Sequence, residues 1–176
     1  MHSPDLHMIV ARPIVIRSAR SADGDLIQKL VRELSPRSRY LRFFNGIHEL
    51  SAAWLERFTR AHPRGDFTLI AQAGEKAVGM AQYAAAPYPL RCEFAVVVAD
   101  AWQRVGIGTA LVRDLVSVAR EAGFERIEAE VLAENMAIVR LLERTGFRSS
   151  RDPRGALSYR VSLSLPAESD AAPLRL

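Results

Sequence analysis

Apolar positions along the chain return either every second residue or at helical spacing, and the switches between these rhythms mark out its elements. Ile14-Val15-Ile16-Arg17 reads as a first strand. Ser21-Ala22-Asp23 supplies cap residues for a helix from about Gly24 to Leu34, with Leu26, Leu30 and Leu34 four apart on one face. Pro36 suits the first turn of a second helix through Phe44, which Asn45-Gly46 ends. Ser51 caps a third helix to about Ala61, stopped by His62-Pro63. A β section follows. Phe67 to Ala73 is a strand, Ala73-Gly74-Glu75-Lys76 a tight turn, and Ala77 to Ala86 the hairpin partner. Pro87 and Pro89 break the chain before a strand from Arg91 to Val98. Leu111, Leu115, Val118 and Ala122 define a long helix from Ile107 to Ala122, with Gly123 as its C-cap. Ile127 to Leu132 alternates apolar residues with glutamates, as a strand with one polar face does. Asn135 caps a last helix to about Thr145, closed by Gly146, and Phe147 to Ser149 and Leu157 to Leu165 are final strands.

This order, with strands interleaved among helices and one clear hairpin, predicts an α/β chain (α+β by some schemes): a mixed sheet covered by helices. At 176 residues, 49% hydrophobic and 25% charged, the chain suits one globular domain with a real core. We expect an N-terminal extension at 1–11, a single domain at 12–165 and a disordered tail at 166–176, rich in Ala and Pro. No internal repeat is visible.

Net charge is +4, and of the 24 basic residues only Lys29 and Lys76 are lysines. The arginines are spread over the whole chain, so a solvated surface explains them better than a nucleic-acid footprint. The single cysteine, Cys92, forms no internal disulfide, which points to the cytoplasm. Met1-His2-Ser3-Pro4-Asp5 has no signal-peptide pattern, and no apolar run approaches the ~20 residues of a membrane span, so no membrane partner is expected. His2, His7, His48 and His62 have no ligand spacing, and Ala52 replaces the second histidine of an H-E-x-x-H site after His48-Glu49, so no metal is expected.

The stretch with most chemistry is Gln103-Arg104-Val105-Gly106-Ile107-Gly108-Thr109. It follows the apolar strand and opens the long helix, so bare backbone N–H groups stand at a helix N-terminus, a site for an anionic oxygen. Spacing separates the candidate loops. A P-loop needs G-x-x-x-x-G-K-[ST], and no lysine follows Lys76. A dinucleotide fingerprint needs a third small residue, and Leu111 stands there.

The remaining pattern, Q/R-x-x-G-x-G/A, is met by Gln103 to Gly108. It resembles the pyrophosphate loop of the GNAT superfamily of acyl-CoA N-acyltransferases. Glu134-Asn135-Met136 followed by Gly146-Phe147 resembles the family's second cofactor element. Leu34-Ser35-Pro36-Arg37-Ser38-Arg39-Tyr40-Leu41-Arg42-Phe43-Phe44 and Glu93-Phe94-Ala95-Val96-Val97-Val98 are similar to the GNAT domain of Pat-type protein lysine acetyltransferases, here standing alone. The resemblance covers about Arg12 to Leu165. It implies a GNAT fold, with a mixed, mostly antiparallel sheet flanked by helices. It also implies acetyl-CoA as co-substrate, held by Val96, Val97, Val98, Gln103, Arg104, Val105, Gly106, Ile107, Gly108, Thr109 and Asn135.

The implied reaction moves an acetyl group to a primary amine by direct attack in a ternary complex. The favoured acceptor is a protein lysine. The alternatives are a small-molecule amine, or a catalytically silent acyl-CoA-binding sensor. A lysine amine, with pKa ~10.4, must give up a proton before or during its attack. Glu93 resembles the family's general base; its bland alternative is a strand-end glutamate paired with an arginine. The family implies an oxyanion donor among backbone N–H groups near Val97 or Val98, where the strand splays from its neighbour. Many relatives carry a tyrosine general acid where this chain has Leu142, so the thiolate, with pKa near ~8.5, would take its proton from water. Cys92 has no histidine partner for a nucleophile's role. Aromatics at helical spacing around Arg37, Arg39 and Arg42 read as core and the arginines as surface. Because the family places this segment beside the acceptor, Arg39, Tyr40 and Arg42 are substrate-side candidates that would favour an acidic neighbourhood. A monomer or a homodimer fits equally.

Overall fold

A computed structural model describes residues 13–151 and 157–166; the expected N-terminal extension and all but Pro166 of the expected tail lie outside them. Seven strands form one sheet: β1 (Ile14–Ser18), β2 (Phe67–Ala73), β3 (Lys76–Ala85), β4 (Arg91–Val98), β5 (Arg126–Leu132), β6 (Arg148–Arg151) and β7 (Ser158–Ser164). Their order is β1-β2-β3-β4-β5-β7-β6. Every neighbouring pair is antiparallel except β4 and β5, so the sheet is mixed, as the element order predicts, and mostly antiparallel, as the resemblance implies.

Five helices flank it: α1 (Gly24–Glu33), α2 (Pro36–Phe43), α3 (Ala52–Thr59), α4 (Ile107–Glu121) and α5 (Met136–Arg144). Two apolar layers result, one on each face. Ile27, Leu30 and Val31 of α1 and Phe58 of α3 pack on Ile70, Met80 and Val97. On the other face Leu111, Leu115 and Ala119 of α4 and Val139 and Leu142 of α5 pack on Phe94, Ile127, Ala129 and Val161. Each such large side chain contributes about 1.5–3 kcal/mol by leaving water. Among the described residues no helix is long and apolar enough to cross a membrane.

Around α1 and α2 the local chemistry differs from the sequence expectation in three places. Asp23 does not cap α1 with its side chain. Its carboxylate instead takes both Arg17 Nη1 and Nη2, at 2.7 and 2.8 Å, and the Arg20 N–H at 2.7 Å. Asn45-Gly46 does not end α2; Phe44 does, in the left-handed region at φ 56°, with its N–H on Tyr40 O at 2.8 Å. The aromatic-core, arginine-surface assignment on α2 holds for Phe43 and Arg37 but fails for Arg39 and Tyr40. Arg39 is 7% exposed and Tyr40 43%, because the Arg39 guanidinium closes the end of α1 by donating to Arg32 O at 3.2 Å and Leu34 O at 2.7 Å.

The feature that positions the site is the β4–β5 seam. These parallel strands pair over three residues only, Arg91 with Arg126, Cys92 with Ile127 and Glu93 with Glu128. Beyond Glu93 the two strands diverge, and the sheet opens.

Candidate active site

At Val98 strand β4 ends in a 3₁₀ turn, Asp100–Trp102, and the chain reaches α4 through two left-handed residues, Arg104 at φ 68° and Gly106 at φ 93°. The first α4 backbone bond runs from Ala110 N to Gly106 O, at 3.0 Å, so the N–H groups of Ile107, Gly108 and Thr109 have no intrahelical acceptor. No side chain caps this end. Together they form a positive, donor-rich rim open to an anion. The two glycines have different reasons. At Gly106 a Cβ would meet nothing within 4 Å but would strain a positive φ. At Gly108 it would come within 3.3 Å of Leu141 Cδ1 and 3.7 Å of Val98 Cγ2, so glycine seats α4 against α5 and the end of β4.

Arg104 and Val105 are exposed on the loop, and the Ile107 side chain turns into the core. Gln103 points inward: its Nε2 donates to Val98 O at 3.0 Å and Ser38 Oγ at 3.4 Å. Beside it, the Asp100 carboxylate accepts from Ser35 N and from the Ser35 and Ser38 hydroxyls, at 2.9, 2.7 and 2.8 Å. Partial burial pushes the Asp100 pKa up, but these hydrogen bonds outweigh it and leave the carboxyl below its usual range. The glycine loop and the start of α2 are thus fastened to each other.

The parity of β4 decides which amides face the opening. Ala99 N donates to Val78 O and Ala86 N to Arg91 O, both at 2.9 Å, and the β3–β4 register between them is unbroken. By alternation the main-chain groups of Glu93, Ala95 and Val97 turn to β3, and those of Phe94, Val96 and Val98 turn to β5. The Val97 amide therefore belongs to the sheet, and its side chain is buried against α1. The amides that face the opening are those of Val96 and Val98, with the Val98 carbonyl already taken by Gln103.

Between the diverging strands lies a cleft of about 310 Å³. Its walls combine Asn135 and Leu142 of the α5 side, Val96 of β4, and Leu41, Arg42 and Phe44 of the α2 segment. Glu93 stands at the point of divergence, exposed, and among the described residues no arginine pairs with it. Glu128, its register partner, is also in the wall with its side chain 13% exposed, 3.5 Å from Arg126. Asn135 lies at the start of α5, its side chain making no capping bond.

Leu142, where relatives are expected to carry a tyrosine, is 1% exposed and closes the α5 side of the wall. Burial, and then the nearby Glu128 charge, push the Cys92 thiol up to about 12, so it is not a nucleophile at neutral pH. Phe147 packs on Phe94 with ring centroids 5.2 Å apart, which makes it a prop for β4. Of the three substrate-side candidates only Arg42 reaches the cleft; Arg39 is committed to carbonyls, and Tyr40 lies outside the lining. Asp100, Glu128 and Arg160 escaped the sequence reading. The polar parity of β5 could have flagged Glu128; no local pattern marks Asp100. Among the described residues no cluster of His, Cys, Asp and Glu forms a metal site.

Comparison with known proteins agrees with this geometry. The model of the acetyltransferase (GNAT) family matches residues 29–147. Acetyltransferase PA5475 of Pseudomonas aeruginosa is 33% identical over 146 residues, 81% of this chain and 78% of that protein. The GNAT domain of S. lividans PAT matches with a TM-score of 0.79 at 28% identity, over 85% of this chain and 89% of that one. The structure of yncA from Salmonella typhimurium with its cofactor acetyl-CoA shares the fold, with a TM-score of 0.71 at 20% identity, over 88% of this chain and 95% of that one.

Proposed function

The chain belongs to the acetyltransferase (GNAT) family, and on that premise we propose that it moves the acetyl group of acetyl-CoA to a primary amine, a protein lysine by preference. The observation that carries this reading is the opening of the sheet directly beyond Glu93, together with the free N–H groups at the start of α4, which follows the end of the same strand. An anion-binding rim at one end and a free carboxylate at the divergence are what a phosphate-anchored acyl donor and an amine acceptor need. The yncA structure, with acetyl-CoA as its cofactor, is consistent with the donor.

In this reading the N–H groups of Ile107, Gly108 and Thr109 hold the diphosphate, and Asn135 and Val96 flank the arm that carries the thioester. The amine nitrogen bonds to the acyl carbon while its proton passes to the Glu93 carboxylate. The carbonyl oxygen gathers charge and takes a hydrogen bond from the Val96 or Val98 amide. When the C–S bond breaks, the thiolate leaves and takes a proton from water, since Leu142 offers none. Cys92, buried and protonated, supports direct transfer. The resemblance of 34–44 and 93–98 to Pat-type enzymes favours a protein lysine, and a single unpaired cysteine suits the cytoplasm.

Thiol release from acetyl-CoA against lysine peptides, small amines and a cell extract tests this, with acetylated sites mapped by mass spectrometry. Lysine acetylation above the rate with small amines is the expected result. Faster turnover of small amines would move the acceptor to that class, and binding without turnover would leave a sensor.

A further inference from the structure

Arg42 lines the cleft, and among the described residues no carboxylate pairs with it. Its guanidinium carbon lies 4.6 Å over the Phe43 ring centroid, so one face of the group is covered by an aromatic surface. Nε and Nη2 are buried and have no hydrogen-bond partner among the described residues. These two nitrogens form one edge of the planar group, the fork that takes both oxygens of a carboxylate side-on. Other arginines of the chain have found such partners: Arg17 has Asp23 and Arg57 has Asp66. Burial also lowers the Arg42 pKa to about 10, a sign of a charge that lacks a counter-ion.

The same cleft is lined by Glu93, Glu128 and Glu130, and by Arg160 as well as Arg42. The carboxylates favour a cation, whereas the arginines would repel one, so a plain amine meets mixed electrostatics there. A substrate that carries both signs satisfies both walls. We propose, building on the amine-acetyltransferase reading, that the acceptor bears a carboxylate beside its reactive amine, and that the Arg42 guanidinium pairs with this carboxylate. An acidic residue next to a target lysine, or the α-carboxylate of a free amino acid, supplies the same group.

The test measures kcat/KM on the full chain with acetyl-CoA. The acceptors are lysine peptides with Glu or Gln as neighbour, and free amino acids with their carboxamides. The expected result is at least about a tenfold preference for the carboxylate member of one pair, carried by KM. Whichever pair shows it identifies the source of the carboxylate. Arg42→Gln should erase that preference, and Arg42→Lys, a point charge without the fork, should restore only part of it. Equal kcat/KM for both members of both pairs in the unaltered protein overturns the inference and leaves the enzyme reading standing. Absence of turnover with every amine, while acetyl-CoA still raises the melting temperature, removes both. The unaltered protein's preferences do not depend on how well either variant folds.

Discussion

Asp100 accepts hydrogen bonds from both the backbone N–H and the hydroxyl of Ser35, at 2.9 and 2.7 Å. Asp100 begins the turn that leads into the glycine loop, and Ser35 is the N-cap of α2, so one carboxylate joins that loop to the helix whose residues wall the cleft. Asp100→Ala should leave the fold intact yet raise KM for acetyl-CoA and for the acceptor together, by roughly three- to thirtyfold each. Steady-state kinetics with both substrates varied checks this. A change in one KM alone would mean that the two sites are not joined through this residue.

Gly106→Val should abolish acetyl-CoA binding. It places a β-branched residue at φ 93°, at a cost of about 1–2 kcal/mol, and covers the N–H rim. The unaltered protein should gain ~2.7 kcal/mol of stability at acetyl-CoA 100-fold above its dissociation constant, and the variant almost none. Gly108→Ala is the contrast: its Cβ meets the movable end of Leu141, so binding should weaken by less.

Glu93→Gln should lower kcat by about 10²–10⁴ and leave the acetyl-CoA melting shift unchanged. The variant should recover rate as pH rises towards the pKa of the amine, because solvent then removes the proton. An unaltered kcat would transfer the base role elsewhere, with Glu128 the nearest carboxylate in register.

Cys92→Ser should retain kcat within about twofold and show no change in kinetic pattern. The thiol is fully buried and protonated, so a thiol reagent should label the native protein only after unfolding. A burst of acetyl-enzyme in the unaltered protein, lost in the variant, would contradict direct transfer.

Acid should unfold the protein through two carboxylates held below their usual range. Asp23 is lowered first by its hydrogen bonds from Arg17, and Asp100 by Ser35 and Ser38 against the opposing effect of burial. A depressed carboxylate contributes stability that is complete above its unfolded pKa, ~3.9, and lost as pH falls through the folded value. Melting temperature should therefore hold steady from neutral pH to about pH 5 and fall below about pH 4. Asp23→Asn should be less stable at neutral pH and show a shallower fall in acid.

Much of this was legible along the chain because periodicity records burial. The strands at Phe67–Ala73 and Arg91–Val98 match their predicted limits, since each is bounded by turn residues and filled with apolar side chains. The glycine loop was legible for a similar reason: positive φ at Gly106 and tight packing at Gly108 both select for glycine. What the sequence hides is set by tertiary partners. Arg39 looks like a surface residue until α1 ends beside it and offers two carbonyls. Val97 looks interchangeable with Val98 until the β3 register fixes which amide faces the gap. Divergence of β4 from β5 leaves no mark in either strand, because it is a property of their pairing.

That short seam has a consequence for how the molecule can change. Three residue pairs join β1–β4 to the β5-β7-β6 half. The walls of the gap draw on both faces of the sheet, with α5 on one and the α2 segment on the other. The rim at α4 and the α2 wall can therefore be altered separately, apart from the Asp100 tether. Exchange of the α2 residues that line the gap, with Ser35 and Ser38 kept to hold Asp100 and Gln103, offers a way to redirect the enzyme to new amines.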